Sequence, residues 1–134
     1  PSNTLAFILY NVGINPDVEQ CILDEIEKVF YCRSDFKITY EDLNKLVYVE
    51  AVIKEVLRIR PVTSTISRFL EHSDQFDEYN IPSSTQLAIN IVSLHKNQNY
   101  WKEPTKFNPS RFLASSNNDE TYNKGTLMNF GGGL

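Results

Sequence analysis

The chain closes on Asn129-Phe130-Gly131-Gly132-Gly133-Leu134, and three consecutive glycines behind an aromatic ring are its first chemically suggestive feature. Glycine reaches positive φ angles without a steric cost and lets another group come close to the backbone. A run of this kind belongs where a ligand or a second segment approaches the main chain. Other reactive side chains are few. Cys21 and Cys32 lie in no Cys-x-x-Cys or Cys/His cluster, so they read as reduced thiols, neither a zinc site nor a disulfide framework. His72 and His95 stand far apart and read as structural residues. No Gly-x-Gly-x-x-Gly follows a strand and no Gly-x-Ser-x-Gly is present, which argues against a dehydrogenase and a serine hydrolase. The formal net charge is −4 and the lysines and arginines are scattered, so no nucleic acid partner is expected. The longest apolar stretch, residues 5–10, is too short to span a bilayer, and no signal-peptide pattern is seen. Residue 1 is not methionine and the single Met is Met128, so both ends are expected to open onto further chain.

The elements that would position these residues follow from periodicity. Residues 4–12 read as the last turns of a helix, closed by Gly13 in a left-handed conformation. Asn15 as cap and Pro16 as first residue open a second helix to about Phe30, with Val18, Ile22, Ile26 and Val29 at helical spacing and Asp17 and Glu19 in the first turn. After a polar linker, Thr39 with Asp42 forms a capping box ahead of one long helix over residues 40–59, stopped by Pro61. Residues 62–69 are a candidate strand rich in Thr, Ile and Val, and residues 85–91 alternate apolar and polar after a Pro82-Ser83-Ser84 turn. From Lys96, Trp101, Pro104, Pro109 and several asparagines predict an irregular meander, and residues 114–125 a polar flexible loop. At 134 residues and 41% hydrophobic content, one domain with a packed core is expected, mainly α with a small antiparallel β-sheet (α+β). There is no internal repeat and no strand-helix-strand alternation of a nucleotide-binding sheet.

On a helical wheel, Leu46, Val49, Val52, Ile53, Val56 and Leu57 make a broad apolar face, opposite Glu50, Lys54, Glu55 and Arg58. Glu50–Lys54 and Glu55–Arg58 are favourable ion-pair spacings, each contributing only about 0.2 to 0.5 kcal/mol when exposed, so a solvated charged face is the plain reading. Glu55, however, lies at the edge of the polar arc and is expected to be half-buried, where the pair needs a third partner. Arg111, between apolar neighbours in Pro109-Ser110-Arg111-Phe112, is the candidate.

Three separated motifs now stand in order: Glu55-x-x-Arg58 in a long helix, Asn108-Pro109-Ser110-Arg111-Phe112 in a coil, and Phe130-Gly131-Gly132-Gly133 near the end. Together they resemble the C-terminal half of a cytochrome P450, a haem-thiolate monooxygenase. "YVEAVIKEVLRIRP" is similar to that family's helix K, and the stretch from Tyr79 through Phe112 to the sheet and meander behind it. The resemblance implies one partial P450 domain: residues 1–12 as the end of helix I, 16–30 as helix J, 40–59 as helix K, 62–95 as the sheet region, and 96–134 as the meander and start of the haem loop. It implies a buried structural triad of Glu55, Arg58 and Arg111, with Ser110 replacing the glutamate usual in the family's Pro-Glu-Arg-Phe segment. A carboxylate shared by two planar cations can be satisfied on both sides and pin a helix to a coil.

By the same resemblance, Phe130, Gly131 and Gly133 begin the pattern Phe-x-x-Gly-x-Arg-x-Cys-x-Gly, Arg68 matches a clamp for a haem propionate, and Val62, Thr63, Thr65 and Ile66 match a segment lining the substrate pocket. The pattern's arginine and thiolate cysteine would fall at the first and third positions after Leu134, so no metal ligand and no catalytic residue is assigned within the chain. The plain alternatives are an ordinary core aromatic for Phe130 and an exposed strand arginine for Arg68. The implied function is that of a haem-dependent monooxygenase inserting one atom of dioxygen into a small apolar organic substrate, with electrons from an NADPH-dependent flavin reductase or other donor. The implied cofactor is haem (iron protoporphyrin IX), the implied location the endoplasmic reticulum membrane, with no anchor in this stretch. The chain as written is expected to be inactive. The alternative is a non-catalytic remnant or interaction module without haem.

Overall fold

The structure, a computed structural model, describes residues 1–31, 37–113 and 124–131. It opens with helices α1 (Ser2–Gly13) and α2 (Pro16–Phe30). Gly13 is the last residue of α1 and does not take a positive φ; the cap is Ile14 at φ −94° and ψ −3°. The last carbonyls are satisfied without a left-handed residue: Ile14 N donates to Tyr10 O at 3.2 Å, Asn15 N to Val12 O at 3.0 Å, and Asn15 Nδ2 to Asn11 O at 2.6 Å. With its side chain held by α1, Asn15 caps α2 only through its carbonyl, which accepts from the Val18 and Glu19 amides at 3.0 and 3.1 Å.

The long helix expected over residues 40–59 is two helices, α3 (Tyr40–Leu43) and α4 (Val47–Ile59). The Thr39–Asp42 capping box is formed in full, with Asp42 Oδ2 accepting from the Thr39 amide at 2.9 Å. The helix then tightens: Lys45 N donates to Asp42 O and Leu46 N to Leu43 O, both one residue short of α-helical spacing, and Leu46 turns out at φ −83° and ψ 62°. A tertiary contact stabilises the restart. The carboxylate of Glu25, on α2, accepts from Tyr48 N at 2.7 Å and Val49 N at 2.9 Å, taking the place of a local cap at the positive end of α4.

Val18, Val52 and Val56 form the buried centre between these helices, with Ile8, Val12, Ile22, Tyr48 and Phe107 packed against it. On α4 the buried residues are Ala51, Val52, Glu55, Val56 and Arg58, while Ile53 is exposed. The buried face is therefore turned well away from the centre of the apolar wheel and toward the charged side, because the fold buries the Glu55–Arg58 pair as well. Glu55 is fully buried, not half-buried.

The sheet region is two separate two-stranded antiparallel units. β1 (Thr65–Phe69) pairs with a later strand, here β4 (Gln86–Asn90), in the register Ile66 to Ile89 and Arg68 to Leu87. Between them lies the hairpin of β2 (Asp74–Phe76) and β3 (Tyr79–Ile81), turned by Asp77 at φ 55°. Strand and helix meet abruptly after β4. Asn90 Oδ1 accepts from Ser93 N at 2.9 Å, which starts α5 (Ile91–Lys96), so Ile91 is helical and residues 91–95 are not part of the sheet. The irregular segment beyond holds a 3₁₀ turn at Pro109–Phe112, and Lys124–Thr126 form another; residues 114–123 of the polar loop lie outside the described residues.

Replacing Glu25 by Ala removes two charge-assisted bonds at a helix start and is expected to lower the unfolding free energy by about 1 to 2 kcal/mol. Urea denaturation checks it: the midpoint falls, and Glu25→Gln recovers part of the loss.

Candidate functional site

One turn of α4 brings Glu55 and Arg58 side by side, and the pair is bidentate: Arg58 Nε to Oε2 at 2.7 Å and Nη2 to Oε1 at 2.8 Å. The remaining donors of Arg58 reach three backbone carbonyls, His95 O at 2.9 Å and Pro104 O at 2.7 Å from Nη1, and Lys106 O at 3.3 Å from Nη2. Every guanidinium N–H thus has an acceptor, which is the condition for burying an arginine. Arg111 Nε donates to Glu55 Oε1 at 3.2 Å and its Nη1 to Lys102 O at 3.1 Å, while Asn108 N reaches the same Oε1 at 2.9 Å. The structure therefore brings Glu55, Arg58 and Arg111 together across more than fifty residues of chain. Trp101 is fully buried beside them, with the Arg58 guanidinium carbon 5.1 Å from its ring centroid.

His95 extends this knot. Its Nδ1 lies 3.1 Å from Arg58 O, and Met128 N donates to its Nε2 at 3.1 Å. Since Nε2 accepts, Nδ1 carries the proton and donates to the Arg58 carbonyl; the ring is neutral. Burial, and then the Arg58 charge, push its pKa below the ordinary 6.5, against the opposing pull of the carbonyl bond.

Three residues past Met128, Gly131 takes φ +84°, the one positive-φ glycine among the described residues. A Cβ there would stand 3.3 Å from Ile66 Cδ1 and 3.9 Å from Arg68 Nη2. Ile66 and Arg68 share one face of β1, and Ile89 and Leu87 lie opposite them on β4, so this glycine crosses a largely apolar sheet face beside a guanidinium. Arg68 is exposed, and its Nη1 donates to the neighbouring Ser67 O at 3.0 Å. Phe130 is 93% exposed and is not a core aromatic. Thr65 faces the other side of β1 from Ile66, so the four candidate pocket residues do not share one strand face; Val62 and Thr63 precede the strand and are exposed. Gly133 lies outside the described residues, as does Cys32.

Cys21 sits elsewhere, exposed on α2 in a shallow groove with Glu25, Lys45 and Tyr48. Burial first, and then Cys21, push the Tyr48 phenol up to about 12. Among the described residues no group of three or more His, Cys, Asp or Glu could hold a metal ion, and no helix is long and apolar enough to cross a membrane.

The family model for cytochrome P450 matches residues 1–134. The chain belongs to the cytochrome P450 family. It is similar to cytochrome P450 3A14 of Cavia porcellus, 34% identical over 132 residues that make up 98% of this chain and 25% of that protein. It is 31% identical to cytochrome P450 3A19 of Capra hircus aegagrus, covering 98% of this chain and 59% of the relative. A trifunctional (S)-stylopine synthase/(S)-nandinine synthase/(S)-canadine synthase of Argemone mexicana is 34% identical over 116 residues, 86% of this chain and 23% of that protein. The chain thus spans about a quarter of the length of most of these relatives.

Sequence reasoning on this P450 chain named the three charged residues but not their backbone partners, because the carbonyls of Lys102, Pro104 and Lys106 carry no signal in residue type. His95 was placed only as structural, and its contact to Met128, thirty-three residues away, has no local signature. Glu55→Ala would leave two buried guanidinium groups without their carboxylate and is expected to cost about 3 to 5 kcal/mol, a large part of a domain's stability. Soluble yield and denaturant midpoint measure the loss, and Glu50→Ala on the exposed side of the same helix serves as the near-neutral control.

Proposed function

We propose that this chain forms part of a haem-dependent monooxygenase, and that Arg68, Ile66, Phe130, Gly131 and Gly133 face the haem. The observation that carries the reading is Gly131 at φ +84° beside Ile66 and Arg68 of β1, where an added Cβ would stand 3.3 Å from Ile66 Cδ1 and 3.9 Å from Arg68 Nη2. A haem is a flat apolar ring with carboxylates on its edge. The chemistry of the residues present fits such a group: an exposed guanidinium for a carboxylate, an exposed aromatic and an isoleucine for the ring, and a backbone position where any side chain would intrude. Bound there, the haem would supply activation of dioxygen, with two electrons from a reductase and insertion of one oxygen atom into an organic substrate.

The part played by this chain is holding and shaping. Arg68 binds the anionic edge as a charge-assisted pair, Gly131 admits the ring close to the main chain, and Ile66 with Phe130 excludes water from its face. Glu55, Arg58 and Arg111 touch neither haem nor substrate; they tie α4 to the segment that precedes the glycines. By the family pattern the thiolate ligand is assigned to the third position after Leu134, and residues 1–134 alone are proposed to be inactive. The same reading assigns an NADPH-dependent flavin reductase as electron donor, a small apolar substrate meeting the protein near Val62, Thr63 and Thr65, and the endoplasmic reticulum membrane as location.

The protein made from the reading frame that contains this chain is expected to carry haem and to give a thiolate-type band in its reduced carbon monoxide difference spectrum. Arg68→Ala is expected to weaken haem affinity by about tenfold, the low end for a charge-assisted bond because the guanidinium is exposed. A wild-type protein that purifies folded and without haem, and takes up none on titration, overturns the reading in favour of an interaction module.

A further inference from the structure

We propose that His95 is a positioning residue whose neutral ring clips the Met128–Gly131 segment to the ion-paired end of α4. The ring is fully buried and bonded at both nitrogens, donating through Nδ1 to Arg58 O and accepting through Nε2 from Met128 N. These two bonds connect different parts of the fold. Arg58 O belongs to the residue that holds Glu55, and Met128 lies three residues before the glycine that meets Ile66 and Arg68. The edge of Trp101, its centroid 6.4 Å from that of His95, closes another side of the ring and leaves it little freedom to rotate. Of the bonds described for the segment from Lys124 to Gly131, the one from Met128 N to His95 reaches a titratable side chain.

Protonation would turn Nε2 from acceptor to donor and set an N–H against the Met128 N–H. The clip is therefore complete only when the ring is neutral. The charge acting on His95 from α4 is Arg58, itself paired with Glu55, and it disfavours a second cation nearby. From the coil, Trp101 offers a neutral ring edge; from α5, the neighbouring Lys96 is exposed; from β1, the one titratable side chain is Arg68, also exposed. Because folding holds the histidine pKa below its ordinary value, the clip's contribution is fully present above that ordinary value, begins to fall as the pH drops below it, and is lost as the pH falls through the folded pKa.

Hydrogen exchange of the Met128 amide in the purified protein tests this, with the Val52 and Val56 amides of α4 as internal reference. Expected is a protection factor that falls, by up to about tenfold per pH unit for one linked proton, between the ordinary and the folded histidine pKa, while the α4 amides keep theirs. In His95→Gln, which keeps a polar side chain but cannot titrate, protection of Met128 is expected to be about three- to tenfold lower at neutral pH and independent of pH. Protection that does not change with pH in the wild type, or the same pH dependence in His95→Gln, overturns the proposal. The consequence for haem rests on the function proposed above: His95→Gln is expected to lower haem per protein with helix content unchanged, and full haem occupancy in that variant would also sink it. A wild-type protein without haem would count against the proposed function alone, since the exchange measurement needs no haem.

Discussion

The carboxylate of Glu55 is the constraint on which the rest of this structure depends. It is wholly inside the protein, one oxygen shared by Arg58, Arg111 and the Asn108 amide, the other taken by Arg58. A lone carboxylate at that depth would be too costly to keep ionised, and a lone guanidinium equally so. Each of the three charges is tolerable only while the other two stay in place. A mostly irregular segment, running from Lys102 into the 3₁₀ turn that carries Arg111, is thereby held to a helix that lies about fifty residues earlier. Apolar packing could not do this with the same directional precision, because burial is insensitive to angle whereas a bidentate pair accepts only a narrow range.

Around that knot the chain repeatedly satisfies backbone groups from a distance. Glu25 supplies the start of α4 from another helix, Arg58 gathers three carbonyls of the meander and α5, and His95 joins the end of α4 to Met128. The conventional apolar core is small by comparison, three valines with a ring of partly covered neighbours. Polar cross-links with fixed geometry therefore carry much of the tertiary specificity in this stretch of a P450, consistent with a region whose task is to hold a loop and a strand face in register.

The surface that register creates is chemically mixed. One side of the β1–β4 pair sets Ile66, Ile89 and Leu87 beside Arg68, and Gly131 crosses it in a conformation that a side chain would strain. Phe130, next to Gly131 in the chain, is almost wholly exposed. An anionic, flat, apolar cofactor suits such a surface better than a polar metabolite would, since the latter would leave the isoleucine and the phenylalanine in contact with polar groups.

Local information in the sequence determined the starts and identities of most elements: the Thr39–Asp42 capping box, Pro16 at the head of α2, the alternation that becomes β4, and the glycine run. Those signals act over three or four residues, the range within which a side chain can reach its own backbone. The ordered motifs also named Glu55, Arg58 and Arg111. What tertiary structure alone decided lies beyond that range. It broke the helix over residues 40–59 with a carboxylate from α2, rotated the buried face of α4 toward its charged residues, removed the left-handed glycine from the end of α1, and divided the expected sheet in two. For α4 the deciding partners are distant in sequence, Glu25 at its start and Arg111 with the Asn108 amide at Glu55, and residue spacing holds no record of which distant atom will arrive.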